Sequence, residues 1–136
     1  MKLIIEADGG SRGNPGPAAY GCLVKDAQTN VVLFEEGKTL GITTNNVAEY
    51  SGLVAALEAA HEIDPNAQIE VRMDSKLVVE QMSGNWKIKH VNMKDLVEKA
   101  RNAFAQTQVN YVWVPRENNL AADTLLNIAL DAELNQ

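Results

Sequence analysis

Asp8, Glu49, Asp74 and Asp123 are the residues of this chain whose type and setting could do chemistry. They lie far apart in sequence. Each stands where an apolar run meets a Gly-, Asn-, Ser- or Pro-rich junction, the first of them in EADGGSRGNPGPAAYG. If the fold gathers them, up to four negative charges crowd one place and repel one another unless a cation joins them. An all-oxygen set suits magnesium or manganese rather than zinc. His61 and His90 are not spaced with Cys22 as a zinc site would be. Cleavage of a phosphodiester backbone calls for such a centre, because the backbone is anionic and the leaving oxygen poor.

Each acid also has a plainer reading. Asp8 ends an apolar run and could make an Asx-turn into the glycines, or sit at the carboxyl end of a strand where α/β proteins place chemistry. Glu49 could complete a capping box with Asn46. Yet Leu53, Ala56 and Ala60 follow it at i+4, i+7 and i+11, which puts it on an apolar face. Asp74 could be the N-cap of a short helix. Asp123 could face solvent, but Leu126 and Leu130 at i+3 and i+7 argue that it points inward.

The elements that must position these acids follow from hydrophobic period and turn chemistry. Residues 2–8 read as a strand, with Leu3, Ile5 and Ala7 on one face and Ile4 on the other. The stretch 9–17, with four glycines and two prolines, reads as a loop. Residues 18–25 and 30–38 read as a hairpin pair. A helical period runs from Asn46 to Glu62 and stops before Pro65. A strand over 69–73, a short helix over 77–82, a helix over 93–105, a strand over 109–114 and a last helix over 118–134 complete the order β-β-β-α-β-α-α-β-α. That order implies an α/β fold with a mixed sheet and helices packed on it.

The 136 residues, 46% hydrophobic, suffice for one compact core, so a single domain over 1–136 is expected. No run of eighteen apolar residues occurs, and the start MKLIIEADGG is interrupted too early for a signal peptide. Cys22 is the single cysteine and reads as a buried strand thiol, in keeping with a reducing, cytoplasmic setting. The net charge of −6 argues against non-specific nucleic-acid binding. Its distribution qualifies this: Lys76, Lys87, Lys89, Lys94, Lys99 and Arg101 are half of the twelve Lys and Arg residues. Such a patch can meet phosphates while acids elsewhere hold metal.

Four segments carry a resemblance: DGGSRGNPGPAAYG at 8–21, TTNNVAEYSGLVAAL at 43–57, MDSKLVVEQMSG at 73–84 and VPRENNLAAD at 114–123. In order and in register they resemble type 1 ribonuclease H, in the compact form found in actinobacteria and related groups. The resemblance implies a ribonuclease-H-like sheet of five strands, three antiparallel and then two parallel. It implies a monomeric endonuclease that hydrolyses the RNA strand of an RNA–DNA hybrid, leaving 5′-phosphate and 3′-hydroxyl ends. Asp8, Glu49, Asp74 and Asp123 match the family's catalytic acids, which would hold two Mg²⁺ ions, or Mn²⁺, with Asp8 bridging. Asp123, on a peripheral helix, would tolerate change best.

The resemblance extends to substrate contacts. Gly9, Gly10, Asn14 and Asn45 would meet ribose 2′-hydroxyls in the minor groove, although the glycines also shape a turn and the asparagines also cap. Thr44 would bind a DNA phosphate, and Ser75 would contact RNA beside the metals. Trp86, Lys87, Lys89 and His90 would line a channel for the DNA strand, or form a packed Trp with a solvated lysine rim. Trp113 is expected in the core or on the sheet face. The loop WVPRENNLAAD lacks the histidine many family members carry there. Arg116 is the nearest candidate for a substitute, able to grip a phosphate but not to act as a base, or else a plain surface turn residue. The family's long basic protrusion and separate N-terminal hybrid-binding domain are also missing, so grip should be modest and salt-sensitive. Rivals are a nuclease of this fold with another RNA substrate, a hybrid-binding module without hydrolysis, and a receiver-like domain. The three opening strands disfavour the last.

Overall fold

The computed structural model describes residues 1–89 and 91–135. The expected order holds: β1 (Lys2–Ser11), β2 (Gly16–Asp26), β3 (Val32–Thr43), α1 (Asn45–Ile63), β4 (Gln68–Met73), α2 (Lys76–Met82), α3 (Val91–Ala103), β5 (Val109–Trp113) and α4 (Leu120–Leu134). Short 3₁₀ turns at Gln106–Gln108 and Arg116–Asn118 precede β5 and α4. The sheet runs β3-β2-β1-β4-β5. β1, β2 and β3 are antiparallel neighbours, whereas β4 runs parallel to both β1 and β5.

Alternation along β1 divides the two layers. Leu3, Ile5 and Ala7 join Tyr20, Cys22 and Val24 of β2 in the main core under α1 and α3. On the other face Ala19 packs with Leu126 and Leu130 of α4 in a smaller cluster. Burial on both faces explains why β1 lacks the apolar–polar alternation of a half-exposed strand. Glu6 is the exception among its apolar neighbours, and its carboxylate is held by the Lys25 ammonium at 2.6 Å.

Glycines set how closely the helices approach. A Cβ on Gly21 would stand 2.1 Å from the Ala122 carbonyl oxygen, and one on Gly37 would stand 2.4 Å from that of Leu125. α4 therefore lies backbone to backbone on β2 and β3, which fixes where its first turn, carrying Asp123, ends up.

Three local expectations need correction. The stretch 9–17 is not all loop. Gly9, Gly10 and Ser11 continue β1 opposite Tyr20, Ala19 and Ala18, and only residues 12–15 turn. Glycines are poor strand residues by composition, but here the Arg12 N–H bonds the Pro17 carbonyl and the ladder holds them extended. Thr44, not Asn46, caps α1: its hydroxyl accepts from the Val47 N–H. Ser75, not Asp74, caps α2 by accepting from the Val78 N–H. Both corrections remove a capping role from an acid.

Candidate active site

β1 runs on past the carboxyl end of β4, and the register Glu6↔Arg72 carries forward to bring Asp8, within β1, beside Asp74 just after β4. Glu49 enters from the first turns of α1. Asp123 enters from the first turn of α4 rather than from deep within it. All four acids line one cleft of about 370 Å³, together with Gly9, Gly10, Asn45 and Arg116. The scattered carboxylates are thus gathered, at the place where chain direction changes in the sheet.

Electrostatics mark the cleft as short of positive charge. Burial, then the charges of Asp74 and Asp123, push the Asp8 carboxyl up to about 8. The Gly9 N–H, donating to Asp8 Oδ1 at 2.9 Å, offsets part of that rise, and Glu49 adds a little to it. Burial raises Glu49 to about 7; the Ser75 hydroxyl counters this and the Asp74 charge adds to it. Among the described residues, Glu49 Oε2 is buried without a hydrogen-bond partner. A buried carboxylate oxygen with no donor is costly unless a cation reaches it.

The other two acids have partners. Asp74 Oδ1 accepts from Asn119 Nδ2 at 2.9 Å. Asp123 Oδ1 lies 3.6 Å from the Arg116 guanidinium and accepts from Asn127 Nδ2 at 3.3 Å. Among the described residues no three His, Cys, Asp or Glu side chains stand close enough together to form a ready cage. The acids share a cleft as an open set.

The expected substrate residues divide into three places. Asn45 Oδ1 accepts from the Ser11 N–H at 2.7 Å and from its hydroxyl at 2.9 Å, which fixes its amide at the cleft. Asn14 Oδ1 accepts from the Asn45 N–H at 3.2 Å, and Thr44 caps the same helix. Trp86, Lys87 and Lys89 lie elsewhere, lining a separate groove of about 520 Å³ with Asn46, Leu77, Gln81, Asn85 and Met93. His90 falls outside the described residues. Trp113 is not core: it is half exposed, its indole N–H donates to the Asp74 carbonyl at 3.2 Å, and Lys76 Nζ stands 5.8 Å from its ring centre.

Sequence reasoning missed Arg12, Asn127 and Asn119. Arg12 lines the cleft and bonds Asp131 at 2.6 Å. Asn119 is fully buried behind it. The doublet Asn118–Asn119 four residues before Asp123 was the available signal, a polar pair where a helix start needs one.

A family model described as reverse transcriptase-like matches residues 6–129. The bifunctional protein Rv2228c of Mycobacterium tuberculosis is 53% identical over 133 residues, covering 97% of this chain and 36% of that protein. The chain therefore spans about a third of the length of this curated relative. The solved N-terminal RNase H domain of Rv2228c, fused to maltose binding protein, superposes with a TM-score of 0.93 at 51% identity, covering 99% of this chain and 97% of that one. LC11-RNase H1, solved in complex with an RNA/DNA hybrid, superposes with a TM-score of 0.91 at 41% identity, covering 98% and 99%.

Proposed function

Since the chain belongs to the type 1 ribonuclease H family, we propose that it is an endonuclease hydrolysing the RNA strand of RNA–DNA hybrids, leaving 5′-phosphate and 3′-hydroxyl ends. The observation that carries this reading is the cleft itself: two carboxylates from the parallel strands β1 and β4 and one from the start of each of α1 and α4, with Asp8 raised and, among the described residues, Glu49 Oε2 unpartnered. The kinship with a protein solved on an RNA/DNA hybrid supports the choice of substrate.

The all-oxygen donor set and its charge deficit fit divalent cations, and Asp8, Glu49, Asp74 and Asp123 would hold two Mg²⁺, or Mn²⁺ in their place. When bound, these ions supply positive charge to the attacking water, the phosphate oxygens and the departing 3′ oxygen. The chain's own residues do the rest. Asn45, held by Ser11 at the edge of the cleft, offers its free amide hydrogens to ribose 2′-hydroxyls. Gly10 leaves room for a backbone to approach. Arg116, largely exposed at the mouth, can take a phosphate in place of Asp123. The groove of Trp86, Lys87 and Lys89 offers an aromatic face and two cations to the DNA strand.

We read residues 1–136 as one domain acting as a monomer, because a single chain builds the whole cleft. No helix among the described residues is long and apolar enough to cross a membrane. A cytoplasmic setting fits the single, unpaired Cys22.

Incubation with labelled RNA–DNA hybrid, double-stranded RNA and duplex DNA, each with Mg²⁺ or Mn²⁺, tests the reading. Cleavage of the hybrid's RNA strand, lost in Asp8→Asn and Asp74→Asn, is expected. Cleavage of double-stranded RNA alone would shift the substrate, and binding without cleavage would make the protein a hybrid-binding module.

A further inference from the structure

We propose that Asn119 is a positioning residue that sets the Asp74 carboxylate against β1 and thereby tunes how tightly the acid set holds a divalent cation. This rests on the function proposed above.

Asn119 occupies the N-cap position of α4, where an asparagine ordinarily turns its side-chain oxygen onto the first free N–H groups of the helix. It makes no such bond. Its side chain instead leaves the helix and reaches into the sheet. One Nδ2 bond goes to the Ala7 carbonyl at 2.9 Å, the peptide just before Asp8. A second goes to Asp74 Oδ1 at 2.9 Å. Turning the amide over would set its oxygen against a carbonyl and a carboxylate, both of which only accept, so the chemistry fixes the orientation.

The pose has two costs. The start of α4 loses a side-chain cap, and Asn119 Oδ1 is left buried without a partner among the described residues. A residue whose task was to start the helix would not accept either. What the pose achieves is a tie among three parts of the site. The side chain bonds the strand of Asp8 and the carboxylate of Asp74, while the Asn119 carbonyl accepts from the Asp123 N–H at 3.2 Å. Holding one oxygen of Asp74 on a neutral donor limits rotation of the carboxylate. Its second oxygen is then presented to the cleft in a fixed direction. Partners that orient a ligand in this way commonly govern affinity about 10- to 100-fold.

Mn²⁺ binding to the metal-free chain, followed by calorimetry or by the manganese spin-resonance signal, tests this without reading catalysis. Asn119→Ala should weaken Mn²⁺ about tenfold or more. In an Asp74→Asn background the same change should have almost no further effect, because the oriented group is gone. Asn119→Ser, which keeps a hydroxyl but not the reach, carries the same comparison if the alanine variant does not fold by circular dichroism. Unchanged affinity in Asn119→Ala or Asn119→Ser, or an equal loss in both backgrounds, would overturn the positioning role. Wild-type protein that binds no Mn²⁺ would instead remove the proposed function beneath it.

Discussion

A Cβ on Gly9 would stand 2.2 Å from the backbone nitrogen of Glu49. The strand that carries Asp8 and the helix that carries Glu49 therefore meet backbone to backbone, one residue beyond one acid and at the other. A second close approach reinforces the first: a Cβ on Gly52 would lie 3.2 Å from the Asp8 carbonyl oxygen. The spacing of these two carboxylates is thus set by missing side chains.

Gly9→Ala should consequently damage both stability and activity. The helix start has to move away from the strand, and overpacking of this kind costs about 1–3 kcal/mol. A shift near 1 Å at the acids should lower kcat about 100-fold. Gly10→Ala is the control, since a Cβ there meets only Leu126 Cδ1 at an ordinary 3.7 Å. Its stability should stay within about 0.5 kcal/mol of the parent. Urea titrations on the two variants check the contrast in stability, and steady-state rates on Gly9→Ala check the loss of activity.

The metal-free protein should lose stability as pH rises. Asp8 at about 8 and Glu49 at about 7 stand above their ordinary values of 3.8 and 4.5. Between those limits the folded chain holds protons that the unfolded chain has released. Stability therefore falls across that window, and the loss is complete above pH 8. Melting temperatures in EDTA should fall from pH 5 to pH 8.5, and saturating Mg²⁺ should remove most of the slope. Asp8→Asn should melt higher than the parent in EDTA at pH 8 while losing hydrolysis about a thousandfold. A flat profile for the metal-free parent would refute the charge deficit.

Arg116 should matter for grip more than for fold. Its guanidinium is 73% exposed and 3.6 Å from Asp123, a surface pair whose loss should cost less than about 1 kcal/mol. Arg116→Ala should raise KM for the hybrid and reduce the slope of log affinity against log salt by about 1. An unchanged slope would leave Arg116 as a partner of Asp123 alone.

What the sequence revealed and what it hid divide along a physical line. Asp74 was legible because an acid that ends an apolar run has few places to go but a strand end; Asp8 was legible as a strand acid, although β1 runs three residues beyond it. Glu49 and Asp123 were legible from the helical period that follows each of them. The caps were misread, since Thr44 and Asn46, or Asp74 and Ser75, are equally good cap residues and only backbone conformation separates them. Gly21, Gly37 and Asn119 were hidden for another reason. Their roles are contacts with elements distant in sequence, 45 and 112 residues away for Asn119, and no local pattern encodes them. Trp113 misled because an aromatic in a strand usually packs inward. β5 lies at the sheet edge, and its last residue leans on Asp74 and Lys76 instead.

Gln81 should anchor the Trp86–Lys89 segment to the catalytic helix. It is buried, accepts from the Tyr50 hydroxyl at 2.7 Å, and donates from Nε2 to the Lys87 carbonyl at 3.0 Å. Tyr50 follows Glu49 directly, so one amide joins the acid-bearing turn to the basic groove. Gln81→Leu frees the segment and strands the buried Tyr50 hydroxyl, which should cost about 1–3 kcal/mol. Adding Tyr50→Phe removes the stranded donor and should recover most of that stability. It should not recover grip, because the Lys87 carbonyl still lacks its donor. Both variants should therefore show a several-fold higher KM for long hybrids with kcat nearly unchanged. If the double variant regained the parent's KM, the groove would owe its position to general packing and not to this amide.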